Sequence, residues 1–223
     1  MASLPNNPVI RNRHIHAFSL IELVAVMAII SILLVVAVPI LSDSSNNARR
    51  TSREIVKAHL LQARAHAIAS GNPTAIAIPT IATGTSLGAR AITLFEVEKD
   101  GSDYVLSTAQ NEDGSPGKPQ LQRWKILPGN FHFLSASQIS SSKTTLVDLS
   151  DHLETADGSC NVIVFSPRGR IVRPAPGEAV RLAFAQAART GDSLTLTKRN
   201  GDTPMFEFIE INRLTGRTRI IDP

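Results

Sequence analysis

A single carboxylate, Glu22, sits in a run from Phe18 to Leu41 whose other polar or helix-breaking members are Ser19, Ser31 and Pro39. A charge inside an apolar helix costs about 3 kcal/mol on insertion scales, so it calls for a counter-charge or a role. Proteolysis between Ala17 and Phe18 would create one. The new α-amino group lies four residues ahead of Glu22 on the same helical face, and amine and carboxylate neutralise each other in low dielectric. Within one chain that pair is loose; between neighbouring copies of the helix it would set axial register.

The remaining chemistry-bearing residues do not assemble into a catalytic pattern. Gly84-Thr85-Ser86-Leu87-Gly88 matches G-x-S-x-G, but a nucleophile elbow needs a strand-to-helix turn, and Ala91–Val97 behind it has a strand pattern. A Gly/Ser loop is expected there. The histidines at 14, 16, 59, 66, 132 and 152 show no metal spacing, and Cys160 stands alone, which excludes an intrachain disulfide framework or a multi-thiolate metal site. Walker and dinucleotide loops are missing. No catalytic residue, metal or cofactor is therefore expected, and the chain reads as a non-enzyme.

Gly216-Arg217-Thr218-Arg219 is the one further constellation. Arginines at alternate strand positions put both guanidiniums on one face, where they can meet successive phosphates, and Arg168, Arg170 and Arg173 would widen the patch if the sheet brings them close. The net charge of +4 falls to +2 once residues 1–17, with Arg11 and Arg13, are removed. That is slight for phosphate-driven binding, so ordinary exposed arginines on a hairpin are expected and nucleic acid is the secondary partner.

Four segments must position these residues. Residues 1–17 hold Arg11, Arg13, His14 and His16 and no acid, the pattern of a short cytoplasmic leader. Residues 18–41 are long enough for the ~20 residues that carry a helix across a bilayer. A secretory signal peptide is the competing reading, with Val35-Val36-Ala37 as its cleavage site, but Glu22 and the length of the run oppose it. A plain single-span anchor leaves Glu22 unexplained. Arg49, Arg50, Arg53 and Lys57 after the span outnumber the cations before it, which on a positive-inside count would put the head in the cytoplasm.

Residues 42–71 read as an amphipathic helix. Ser42 to Asn47 prefer caps and turns, a place for the helix to bend or melt. Beyond them Ile55, Ala58, Leu61, Ala65 and Ile68, with Val56, Leu60 and Ala63 beside them, form an apolar stripe, and Arg53, Lys57 and Arg64 take the other face. Gly71 before Asn72-Pro73 is a stop signal. Residues 72–223 read as a β-rich head with strands at Thr74–Ile81, Ala91–Val97, Tyr104–Thr108, Trp124–Leu127, Asn161–Ser166, Arg181–Ala185, Leu194–Lys198, Phe206–Asn212 and Thr218–Ile221. Asp100-Gly101, Asn200-Gly201 and Thr215-Gly216 are expected hairpin tips, and 110–120 and 135–159 are expected loops. One long helix on an antiparallel sheet is an α+β arrangement.

Phe18-Ser19-Leu20-Ile21-Glu22-Leu23 resembles the type IV prepilin N-terminal motif, with Ala17 in place of the family's usual Gly. The resemblance implies that a prepilin peptidase cuts after Ala17 and methylates the Phe18 amine, that Glu22 guides assembly, and that Pro39 kinks the helix. Leu61-Gln62-Ala63-Arg64-Ala65 through Gly71-Asn72-Pro73, with Phe165-Ser166-Pro167-Arg168-Gly169, is similar to the GspH/FimT group of minor pilins and pseudopilins, and Ala17 with Ser166-Pro167-Arg168-Gly169 to the Verru_Chthon cassette protein D family. The implied fold is pilin-like: a transmembrane-plus-amphipathic helix packed on an antiparallel head. The implied function is that of a filament subunit of a type IV pilus or type II secretion pseudopilus, held in the inner membrane and partnered by other pilin subunits. Gly216-Arg217-Thr218-Arg219 also resembles the element that FimT-type minor pilins use to bind DNA for uptake.

Overall fold

The computed structural model describes residues 20–81, 86–108, 119–135, 138–139, 152–174, 180–199, 203–204 and 206–221. The chain divides into two compact units, Met1–Asp43 and Ser44–Pro223. Helix α1, Leu20–Ser70, contributes to both. In the first unit every described side chain, from Leu20 to Leu33, is exposed, Leu20 by 82% and Ile21 by 76%. A helix apolar on all sides needs an apolar surrounding rather than water. Among the described residues no helix is long and apolar enough to cross a membrane.

The helical backbone runs through Ser42–Asn47 without interruption, where the sequence suggests a bend or a melted turn. Propensity penalties of at most about 0.7 kcal/mol per residue are too small to break a helix extended on both sides. Gly71, at φ 72°, ends α1 as expected. The buried face is one flank of the broad stripe read from sequence. Val56, Leu60, Ala63 and Ala67 are fully buried, whereas Leu61 and Ile68 remain 45% and 47% exposed, and Ala58 and Ala65 are exposed with them. The stripe is wider than the sheets can cover, and their surface selects the flank that holds Val56, Leu60 and Ala63.

The strands in chain order are β1 (Thr74–Pro79), β2 (Ala91–Asp100), β3 (Asp103–Leu106), β4 (Lys125–Ile126), β5 (Phe131–Leu134), β6 (His152–Thr155), β7 (Gly158–Phe165), β8 (Ile171–Arg173), β9 (Val180–Thr190), β10 (Ser193–Leu196), β11 (Lys198–Arg199), β12 (Thr203–Pro204), β13 (Phe206–Ile211) and β14 (Thr218–Ile221). One sheet has the order β3-β2-β1-β7-β6, with β4 beside β2 and β8 beside β7. A second has the order β10-β9-β13-β14 with β5 beside β9, and β11 pairs β12. The pairings are antiparallel, as expected for the α+β class.

Period-2 alternation sorts each central strand between two cores. On β1, Ile76 and Ile78 join Val56, Leu60, Ile92, Leu94, Ile163, Phe165, Phe184, Ile209 and Ile211 in the core shared by the helix and both sheets. Ala75 and Ala77 point the other way, into a core with Phe95, Val97, Cys160, Val162 and Val164. That second core lies inside the curl of the first sheet, whose edge strands β3 and β6 come into contact. Strand β6 lies within 135–159, expected to be loop, and β5 and β8 were not foreseen. Short edge strands carry too few residues for a period to show. The tip at Asp100-Gly101 is observed with Gly101 at φ 58°, and Gly216 has φ 63°. Asn200-Gly201 lies outside the described residues.

Candidate assembly helix and arginine turns

Ala17 and Phe18 lie outside the described residues. Glu22 falls in the first turn of α1, where a negative charge also suits the positive end of the helix dipole. Its neighbours Leu20, Ile21, Leu23 and Val24 are exposed. Ser31 donates its hydroxyl to the Met27 carbonyl at 2.8 Å, so this polar side chain is satisfied without leaving the apolar helix. The helix backbone continues through Pro39, whose side chain lies outside the described residues.

Beside Arg64 and Ile68, near the C-terminal end of α1, three short segments singled out in the sequence meet. Gly169, at φ 70°, belongs to the turn between β7 and β8, closed by Gly169 N–H to the Ser166 carbonyl at 2.8 Å. Gly216 belongs to the turn between β13 and β14, closed by its N–H to the Asn212 carbonyl at 2.7 Å, while Asn212 Oδ1 accepts from the Leu214 and Thr215 amides. A Cβ on Gly216 would lie 2.7 Å from Arg64 Cδ and also collide with the Gly169 carbonyl. One on Gly169 would come within 2.8 Å of Ile68 Cδ1 and 3.1 Å of Arg64 Nε. Both glycines thus make room for the Arg64 side chain, whose Nε is buried with no hydrogen-bond partner among the described residues. The Ile171 amide donates to the Arg213 carbonyl at 2.9 Å, and the Arg213 guanidinium donates to the Pro174 carbonyl, joining the two sheets at this corner.

The arginines beside these turns have different fates. Arg168, Arg170 and Arg217 are exposed. Arg219, though 72% exposed at its side chain, donates to Glu210 Oε1 at 3.0 Å, and Arg181 Nε meets Glu210 Oε2 at 2.9 Å. The row follows from register, since Glu210 stands opposite Arg219 on one side and Arg181 on the other. Arg173 is drawn to Asp103 at 3.0 Å and to the Ser102 carbonyl.

Sequence reasoning missed Glu207. Its side chain is 4% exposed, yet it is paired with Arg49 and lies 3.9 Å from Arg53 Nη1, so one buried carboxylate ties α1 to β13. The signal was present: parity along β13 puts Glu207 on the same face as Ile209 and Ile211, which pack against the helix.

Other titratable groups are structural in their surroundings. Burial lowers the pKa of His59, against a hydrogen bond from its Nδ1 to the Ile55 carbonyl and with Lys125 adding to the lowering. Burial likewise lowers that of His132, whose Nδ1 meets the Asn130 carbonyl at 2.9 Å while the charges of Arg90 and Arg189 push the same way as burial. The Cys160 thiol is pushed up to about 11, chiefly by burial. Among the described residues no group of His, Cys, Asp and Glu could hold a metal ion. Gly84 and Thr85 lie outside the described residues; Ser86 is exposed in a turn that leads into β2, where an elbow would require a helix.

Residues 12–38 match the family model of the prokaryotic N-terminal methylation motif. No curated protein matches the chain. Two crystal structures of the type IV minor pilin FimU of Pseudomonas aeruginosa (strain PAO1) are similar to it. In space group P65 the identity is 14%, covering 77% of this chain and 91% of that one, with a TM-score of 0.38. In space group P21 the values are 15%, 80%, 91% and 0.40. The chain thus carries a prepilin-type N-terminal methylation motif at residues 12–38, helical from Leu20 onward, ahead of an antiparallel α+β head.

Proposed function

We propose that the chain is a structural, non-enzymatic subunit, a minor pilin or pseudopilin, of a type IV pilus or type II secretion pseudopilus. The observation that carries this reading is the methylation motif at residues 12–38, with Glu22 inside an exposed apolar helix. Prepilin peptidase would cut between Ala17 and Phe18 and methylate the new amine, and Glu22 would meet that amine on a neighbouring subunit. Pro39 would bend the helix in the assembled fibre. Before assembly the apolar helix would anchor the chain in the inner membrane with its head outside. A nucleic-acid role through Arg217 and Arg219 is not adopted, because Glu210 already engages Arg219.

Intact mass and N-terminal sequencing of the membrane-purified protein test the reading. The expected mature chain starts at Phe18 and carries one N-methyl group, and Glu22→Ala leaves processing intact while removing the subunit from fibres. An intact leader, or a start at Val38, would overturn it.

A further inference from the structure

Strand β10 borders the second sheet, and among the described residues only β9 pairs with it. The Thr197 amide donates to the Gln186 carbonyl, and Ser193 and Thr195 share its parity, so these three direct their backbone groups at β9. Leu194 and Leu196 therefore point their amides and carbonyls outward, where they can template a further strand. Neither a charge nor a proline guards residues 193–196. Leu194 and Leu196 are half-buried yet belong to none of the cores formed by the described residues, while Ser193, Thr195 and Thr197 are exposed.

Laid antiparallel against itself, the segment Asp192-Ser193-Leu194-Thr195-Leu196-Thr197-Lys198 is self-complementary. With Thr195 opposite Thr195 of a second copy, Leu194 faces Leu196, Ser193 faces Thr197 and Asp192 faces Lys198. Side chains alternate, so the leucines and the opposite charges share one face and the hydroxyls take the other. The same register makes Leu194 and Leu196 a hydrogen-bonded pair, which matches their outward backbone groups. A one-residue slip would set an outward residue against one whose backbone groups are already spent on β9. A two-residue slip would oppose Asp192 to Leu196 or Leu194 to Lys198. Both charges are available. The Asp192 side chain is 78% exposed, and the Arg189 guanidinium 4.0 Å from it already donates to the Ile81 and Gly191 carbonyls. Lys198, at the start of β11, is exposed and makes no ion pair among the described residues.

We propose that β10 is a self-pairing edge, through which two copies of this chain join their second sheets across a two-fold axis between facing Thr195 residues. Such a contact closes on itself, so it makes pairs and not fibres. With four residues to a strand it is weak, and it is strengthened by whatever else holds two copies close. The inference depends neither on processing at Ala17 nor on the filament reading.

The test traps the pair covalently in the full chain in non-ionic detergent, where the native Cys160 is buried and does not compete. Facing residues at a non-hydrogen-bonded position have Cα atoms about 4.5 Å apart, within disulfide reach. Under mild oxidation Thr195→Cys should therefore give a disulfide-linked dimer. Ser193→Cys alone and Thr197→Cys alone should not, because two copies of either residue would lie about 14 Å apart along the strands, but an equal mixture of the two variants should. Leu196→Pro in the Thr195→Cys chain removes an outward amide and spares the ladder to β9, and it should lower the dimer yield by about tenfold or more. Equal yields from the three single-cysteine variants would reveal only crowding in the micelle and would overturn the proposal. So would absence of the Thr195→Cys dimer, which would leave this edge to a strand of another protein. If the proline variant does not fold, the pattern among the cysteine variants decides.

Discussion

Gly216 does more than permit a turn. Its positive φ is one requirement, and the Arg64 side chain on one side and the Gly169 carbonyl on the other are a second, since they fill the space a Cβ would take. Gly191, at φ 60°, has nothing within 4 Å of such a Cβ. Gly216→Ala should therefore cost about 3 kcal/mol and Gly191→Ala about 1 kcal/mol, read from urea midpoints of the two variants. Equal losses would mean that backbone conformation alone matters. The comparison also explains a motif: the glycine preceding Arg217 is required by packing, whatever Arg217 and Arg219 bind.

At the scale of elements, the apolar stripe of α1 is wider than the face it buries. Leu60, fully buried against both sheets, and Leu61, 45% exposed, are neighbours in sequence and lie on different faces. Leu60→Ala should destabilise by about 2–5 kcal/mol and Leu61→Ala by no more than about 0.5 kcal/mol, measured by thermal unfolding. The reverse order would move the buried flank to Ala58, Leu61, Ala65 and Ile68. Glu207 acts at the same scale. By reaching Arg49 and Arg53 it fixes which turn of the helix faces β13, a choice that non-directional apolar packing does not make.

At the scale of the whole molecule, the buried histidines make stability depend on pH. His59 and His132 have pKa values below 6.5 in the folded chain because burial penalises their charged form. Above that value both states are neutral and the histidines contribute no slope. As pH falls below about 6.5 the unfolded chain binds protons that the folded chain refuses, so stability declines. The melting temperature should drop between pH 7.5 and 5.5, and His59→Gln with His132→Gln should flatten the decline; an unchanged slope would show that other groups are responsible.

Much of this molecule was legible in its sequence because the relevant signals are local. The methylation motif and the stop at Gly71 need no tertiary information, and period-2 alternation marked the long strands β1, β2, β7 and β13. What remained hidden depends on contacts between distant segments. Which flank of the α1 stripe is buried, the pairing of β6 with β7, the capture of Arg219 by Glu210 and the space Gly216 leaves for Arg64 are set by which surfaces meet, and residues far apart in the chain carry no mark of that meeting until the sheets have formed.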